Sequence, residues 1–437
     1  MLLRKLWPAV LATRTIFGQS VIVITGTAAT GTLSGDGVLP TGLTYASFST
    51  TRTISQNTAS SLTLSGSNGT ATTNGTTSTG SLINLVGATS TTNGTATTTA
   101  SQNARPTNTQ ACNNYVEFCD RSYANITEIA AHNSPFAVKR NAFSNQDYGV
   151  VDQLNDGIRM IQGQTHLENN TLFYCHTNCN LLNAGTVEAE FKKIADWVAA
   201  HPFDVVTLLI GNAGPGLIPL NDYIGPITNS GLLRYAYRPP KIPMALADWP
   251  TLGELILRQK RVVIWMDYAA NQTAIDYILD EFSQMWETPY SPTNDAFPCN
   301  VDRPPGLAPR DASNRLYLAN HNLNAQVSIP GMDSKFLIPN TAVINQTNSV
   351  RGPGSLGLMA NNCETQWNRA PNFLLVDYYN RDGTDPGAVF RVAAAHNNVT
   401  YNRKCCGSAV SVASTGRPIP LMQMLATSLI VLFVFTL

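Results

Sequence analysis

Six histidines occur in the chain, and two stand in short polar segments, Ala131-His132-Asn133-Ser134-Pro135-Phe136 and Cys175-His176-Thr177-Asn178-Cys179. Between them lies Gln153-Leu154-Asn155-Asp156-Gly157-Ile158-Arg159-Met160-Ile161-Gln162-Gly163-Gln164-Thr165-His166. An unperturbed imidazole titrates near ~6.5, so at near-neutral pH one copy can take a proton while another gives one. Two imidazoles at the ends of adjacent strands therefore suit acid–base work on one phosphodiester. Charge that grows on the non-bridging phosphate oxygens also needs a fixed partner.

The elements that would carry these residues alternate. Continuous apolar β-branched runs at 205–210 and 262–267 read as strands buried on both faces. Further strands are expected at 126–131, 158–164, 315–319 and 373–377, with weaker candidates at 173–175 and 233–237. Helices are expected at 186–200, 252–257 and 274–286, the first ending at His201-Pro202. Repeated helix and buried strand argue for parallel βαβ units. The segment 112–406 is long enough for one (β/α)8 TIM-type barrel, distorted by insertions. A doubly wound open sheet is the other architecture, but no Gly-rich dinucleotide loop follows the first strand. In a barrel, the strand ends that form the site carry His132, Gln164, Asn212, Asp267, His321 and Asp377. Asn and Asp are also ordinary turn residues there.

Charged residues make up 13% of 437, and the formal net charge is zero. Bulk electrostatics therefore gives nothing to draw the protein to nucleic acid. Neither a zinc-type Cys/His spacing nor a Gly-Lys-Ser/Thr phosphate loop is present. No charged residue falls between Arg52 and Arg105. This Ser/Thr/Gly/Asn stretch, within a region taken as 29–111, cannot bury enough apolar surface to order itself. It reads as a disordered, O-glycosylated stalk or as an unmodified linker.

Both ends point to export. Arg4, Lys5 and Arg14 beside short apolar stretches read as a signal peptide over 1–28. Gly407, Ser408 and Ala409, a spacer over 410–420 and an uncharged apolar tail over 421–437 form a GPI-attachment pattern. A retained membrane tail is the other reading. Eight Asn-x-Ser/Thr sequons are present, at Asn68, Asn74, Asn93, Asn125, Asn169, Asn271, Asn345 and Asn398. All eight cysteines lie after position 111, which suits disulfides in an oxidising compartment. Local pairs Cys112 with Cys119 and Cys175 with Cys179 are expected.

His132-Asn133-Ser134, then Gln153–Arg159, then Cys175-His176-Thr177 resemble the X-domain of phosphatidylinositol-specific phospholipase C. The chain is most similar to the secreted fungal PLC-like phosphodiesterases of the TIM-barrel class. Cys119-Asp120-Arg121-Ser122-Tyr123, Gln162-Gly163-Gln164-Thr165-His166 and Phe373-Leu374-Leu375-Val376-Asp377 carry that likeness over about 112–400. The resemblance implies that His132 removes a proton from a hydroxyl next to the phosphate and His176 protonates the departing alcohol, giving a cyclic phosphodiester. It also implies an Arg, or calcium held by acidic ligands, on the second strand. Here the matching positions are Gln162 and Gln164, and Asn133 matches an Asn ligand. Gln carbonyls can bind calcium, but two lost carboxylates weaken such a site. No metal ligand is assigned; calcium stays open as a cofactor, with its usual acidic ligands replaced by Gln162 and Gln164.

Arg159 alternates onto the face opposite Gln162 and Gln164. His166 shares their face and is either a third site imidazole or a hydrogen-bonded loop histidine; His321 is open in the same way. His201 and His396 read as structural. Catalysis is thus assigned to His132 and His176. Substrate contact is assigned to Asn133, Gln162, Gln164, His166, Asp267, His321 and Asp377. The expected activity is an extracellular phosphoric diester hydrolase acting on a lipid or glycan phosphodiester, held to membrane or wall. A barrel that binds such groups without cleaving them is the alternative, favoured by the two Gln residues. A glycosidase would need Asp267 and Asp377 as its carboxylate pair.

Overall fold

The computed structural model describes residues 25–26, 45–46, 48, 50–53, 109–212, 217–328 and 335–407. The signal peptide, the Ser/Thr-rich region and the GPI-attachment pattern lie outside the described residues, except at 25–26, 45–46, 48, 50–53, 109–111 and Gly407. Sequons Asn68, Asn74 and Asn93 lie outside them too. Among the described residues, no helix is long and apolar enough to cross a membrane.

Eight strands form the frame: β1 Glu128–Ala131, β2 Met160–Glu168, β3 Val206–Gly211, β4 Val262–Met266, β5 Ile278–Asp280, β6 Met285–Glu287, β7 Leu316–Asn320 and β8 Phe373–Val376. Their spatial order is β5-β4-β3-β2-β1-β8-β7-β6, and every neighbouring pair is parallel. Chain order therefore runs round a barrel, with β8 beside β1. No ladder joins β5 to β6, so the barrel stays open along that seam. This is the expected (β/α)8 barrel in a distorted form.

Alternation builds two cores. Met160, Leu209, Trp265, Leu318 and Leu375 fill the lumen. Ile161, Leu208, Ile264, Ala319 and Leu374 face outward, where they pack among residues such as Val187, Phe191 and Ile194 of α2 Val187–Ala200. Helix α2 starts where Thr186 accepts from Ala189 N. It ends at His201, whose ring stacks on Trp197 at 3.9 Å. The helix expected over 252–257 is present as Leu252–Leu257, with Thr251 and Glu254 closing a capping box at its start.

Three expectations are corrected. The segment 274–286 is not a helix: it holds β5 and β6, separated by the single helical turn Glu281–Gln284. Apolar runs this short do not settle their period, and burial inside the barrel overrides helix propensity. Residues 173–175 do form a strand, but Thr171–Cys175 pairs antiparallel with the upper half of β2 and lies off the barrel. Residues 233–237 give a 3₁₀ turn, Leu232–Arg234, and one bridge from Ala236 to Val262.

The antiparallel strand turns back at Asn169-Asn170, both at positive φ, which Asn tolerates in a tight hairpin. Gly163 is needed beneath it, because a Cβ there would meet the Tyr174 ring at 2.9 Å. Disulfides join Cys112 to Cys119 and Cys175 to Cys179 as expected, and Cys299 to Cys363. A short upstream segment lies along the open seam. The Tyr45 ring meets Phe282 at 5.0 Å and Tyr268 at 5.8 Å, and Arg52–Thr53 pairs with Lys241–Ile242.

Candidate active site

Strand alternation decides which side chains reach the mouth. Because Ala130, Met160, Trp265, Met285, Leu318 and Leu375 point into the lumen, so do the residues two further on: His132, Gln162, Asp267, Glu287, Asn320 and Asp377. Gln164 and His166 follow on the same face of β2. Arg159 lies on the other face, where its guanidinium bonds Asp204 at 2.6 Å and stacks over Trp197.

His132 follows β1, and its Nδ1 lies 2.8 Å from Oδ1 of Asp377, which follows β8. Asp377 is completely enclosed. A carboxylate at that distance holds the imidazole as its Nδ1–H tautomer, leaving the Nε2 lone pair toward the lumen. Committed in this way, Asp377 is His132's partner rather than half of a separate carboxylate pair.

His176 sits in the loop closed by Cys175–Cys179. Its Nδ1–H donates to the Phe143 carbonyl at 2.6 Å, and the ring stacks on Phe136 with centroids 5.1 Å apart. Its Nε2 therefore faces the amide of Asn133, 3.4 Å away. Burial pushes His176 down to about 4, and nearby His132 adds to that, against the Phe143 hydrogen bond. The resting imidazole is neutral.

Between the two histidines the amides are partly engaged. Gln162 Oε1 accepts from Asn133 N at 2.7 Å, and Gln164 Oε1 from Thr177 N at 3.4 Å. Asn133 Oδ1 is buried without a partner. A calcium ion is a hard cation that binds best where several carboxylate oxygens converge. The oxygens available here are neutral amides, two of them already accepting hydrogen bonds. Among the described residues no three His, Cys, Asp or Glu side chains cluster in a metal-binding arrangement. The donor set does not fit calcium.

His166 is buried on the lumen face, and burial lowers its pKa. His321 is not brought to this group. Its ring is fully enclosed against Phe297, its Nε2 donates to the Thr347 carbonyl at 2.9 Å, and burial lowers it to about 4. Asn212 is likewise a structural lock, bonded to Ile218 and Tyr268.

The opposite wall of the mouth holds residues that sequence reasoning missed. Arg303 Nε is 3.1 Å from Glu287 Oε2, and its NH1 donates to Tyr268 OH at 3.2 Å. Asn320 donates to the same Glu287 oxygen at 3.0 Å. Glu281 is enclosed behind β5, its carboxyl hydrogen-bonded to that of Glu287. Burial raises it well above the usual carboxylate range, and Glu287 raises it further. Asp267 is raised to about 7 by burial, against hydrogen bonds from the backbone of Asn212 and Tyr268 and the charge of Arg303. Burial alone would lower Arg303, but Glu287 together with Tyr268, Tyr290 and Glu281 raises it well above its ordinary value and keeps it charged. Glu287 was legible in principle, two residues beyond Met285 in a strand. Arg303, in a Pro-flanked loop, gives no such signal.

A family model, PI-PLC X 1, matches residues 118–390. The chain is 56% identical over 317 residues to an Arthroderma benhamiae protein described as an uncharacterized secreted protein, covering 72% of this chain and 71% of that one. It is 40% identical over 270 residues to a PI-PLC X domain-containing protein 1 of the same organism, covering 61% and 84%. Among solved structures it is similar to the phosphatidylinositol-specific phospholipase C of Listeria monocytogenes. That match has 9% identity and a TM-score of 0.41, over 64% of this chain and 96% of that one.

Proposed function

The chain belongs to the PI-PLC X family, and from that premise we propose that it is an extracellular phosphoric diester hydrolase acting on a lipid or glycan phosphodiester by two-histidine acid–base catalysis. The observation that carries this reading is the matched orientation of the imidazoles. His132 and His176 each have Nδ1 occupied, by Asp377 and by the Phe143 carbonyl, which turns both Nε2 atoms toward substrate, that of His176 held only by a long 3.4 Å contact from the Asn133 amide.

In the proposed reaction a hydroxyl next to the phosphate attacks phosphorus and its proton passes to His132 Nε2. The leaving alcohol takes a proton from His176 Nε2, and a cyclic phosphodiester forms. Water opens that ring with the two roles exchanged. Asp377 stabilises the imidazolium that forms on His132. His176 is neutral in the free protein, so its acid role depends on the bound phosphodiester, whose negative charge favours the protonated ring. Gln162 and Gln164 offer amide N–H groups to the phosphate oxygens, and His166 offers a third imidazole from the same strand face. Asp267 faces the remainder of the substrate from the opposite wall.

The exported homologue supports an extracellular site of action. The chain's last described residue, Gly407, donates its N–H to Asp156 on the outer wall, just before β2 begins. A lipid attached there would tether the barrel from the end opposite the mouth. The mouth would then address a surface other than its own anchor.

The neutral Gln162 and Gln164 favour a second reading, a barrel that binds such groups without turnover. The purified full chain, incubated with phosphatidylinositol, lysophospholipid and glycosylphosphatidylinositol with and without calcium, separates the two. Turnover that is lost in both His132→Ala and His176→Ala, with folding retained, supports the hydrolase. Saturable binding with no product from any substrate supports the binding barrel.

A further inference from the structure

The loop between β1 and α1 Val150–Asp156 folds over the mouth and carries Asn145 and Gln146, both enclosed. Asn145 Nδ2 is 2.8 Å from Asp377 Oδ1 and 3.1 Å from His132 Nδ1. An amide nitrogen has only hydrogens to give and cannot accept from Nδ1–H. Both groups therefore donate to one carboxylate oxygen, and the contact between them is only closeness. The reverse amide orientation would set its oxygen against that of Asp377.

The backbone fixes Asn145 just as firmly. Its N–H donates to the Phe136 carbonyl at 2.9 Å, and its own carbonyl accepts from Tyr378 N at 2.8 Å. Next to it, Gln146 Nε2 donates to the carbonyls of His132 at 2.8 Å and Val376 at 3.1 Å, tying the ends of β1 and β8 together. Asp377 Oδ2 is buried with no partner, so the rotamer of that carboxylate depends on its two donors at Oδ1.

We propose that Asn145 is a positioning residue: it fixes the carboxylate of Asp377, and through it the tautomer and aim of His132, without touching substrate. The proposal rests on the reading of His132 as the base. Its main test is an exchange. Asp377→Asn replaces the carboxylate with an amide whose N–H can donate to Nδ1, and is expected to lower kcat by about 10³- to 10⁴-fold, the effect of presenting the wrong tautomer. Asn145→Ala is expected to lower kcat by roughly 10- to 100-fold, the range for groups that orient a working side chain, with KM nearly unchanged. In the double variant Asn145→Asp/Asp377→Asn the carboxylate stands on the other side of Nδ1 with an amide to hold it. It should recover at least about tenfold of the loss in Asp377→Asn.

Nitrogen-15 spectra of histidine-labelled protein read the tautomer without any substrate. They are expected to show the Nδ1–H form of His132 in the wild type, a mixture in Asn145→Ala, and the Nδ1–H form again in the double variant. If the wild type cleaves nothing, the hydrolase reading fails and these spectra still decide the proposal. If Asn145→Ala does not fold, the double variant, which conserves both side-chain volumes, carries the test. Wild-type kcat and an unchanged tautomer in Asn145→Ala, or a double variant no better than Asp377→Asn on both readouts, would overturn it.

Discussion

The two walls of the barrel mouth are built by the same rule and end in opposite chemistry. On the β1, β2 and β8 side the wall carries three imidazoles, His132, His166 and His176, three amides, Asn133, Gln162 and Gln164, and one committed carboxylate, Asp377. Across the lumen, β4 to β7 supply three acids and bring Arg303 against them. Burial acts alike on both, favouring the uncharged form. It lowers His176 to about 4 and raises Asp267 to about 7. The imidazole wall thus keeps lone pairs ready for protons. The acid wall keeps its charge locked in one internal ion pair, Glu287 with Arg303.

The sharpest way to break this contrast is activity. His132→Ala and His176→Ala are each expected to reduce kcat by at least about 10²- to 10⁴-fold, the usual value of a positioned acid or base. Glu281→Gln should leave kcat within a small factor of wild type. Equal losses on both walls in a phosphodiesterase assay would erase the division of labour.

Stability reverses the ranking. Arg303→Met strands Glu287 and Asp267 in an enclosed site and is expected to cost about 3–5 kcal/mol in urea unfolding, as when one partner of a buried pair is removed. Glu281→Gln replaces a carboxyl that burial already holds neutral, so it should cost under about 1 kcal/mol at pH 7. If the two variants melted alike, the acid wall would not be organised around Arg303.

Acid pulls the walls in opposite directions. For His176 the folded value, about 4, lies below the unfolded one. Its contribution is present above about pH 6.5 and lost as pH falls toward 4. For Asp267 the folded value, about 7, lies above the unfolded one. Its contribution is present below about pH 4 and lost as pH rises through 7. At about 1.4 kcal/mol per pKa unit, the bound is about 3.5 kcal/mol for His176 and about 4.5 kcal/mol for Asp267. Melting curves from pH 4 to 8 should therefore show Asp267→Asn gaining on wild type toward alkaline pH, and His176→Phe gaining toward acid pH. Parallel curves would mean that neither group titrates as its surroundings dictate.

The imidazole wall was far more legible in the sequence than the acid wall, for a physical reason. β3, β4 and β8 are apolar runs whose ends mark themselves, so Asp267 and Asp377 could be placed without coordinates. His132 and His176 stood in segments that are polar amid apolar neighbours. β5 and β6 have three residues each, with a helical turn between them, and their apolar spacing reads equally well as one helix face. Misreading them hid Glu281 and Glu287. Arg303 and Asn145 reach the site from loops, whose long-range partners no local pattern encodes. His321 shows the converse: it follows a strand, yet its odd register turns the ring outward to Thr347 rather than into the lumen.

The smallest effect expected comes from the upstream segment. Tyr45 roofs the acid wall at the open seam, edge-on to Phe282 and with its hydroxyl 3.4 Å from that of Tyr268. The imidazole wall is covered instead by the loop that carries Phe143, Asn145 and Gln146, and is stapled by Cys175–Cys179. An aromatic pair of this kind adds about 0.5–1.5 kcal/mol beyond its burial. Tyr45→Ala should therefore lower the melting temperature by about 2–4 °C, since 1 kcal/mol moves a domain of this size by about that much. Tyr45→Phe keeps the ring and should change it by less than about 1 °C. Both variants should retain wild-type kcat, because the ring touches neither histidine nor their partners. A loss of kcat in Tyr45→Ala alone would mean that the two walls are mechanically coupled through Tyr268, and that the seam segment belongs to the working site.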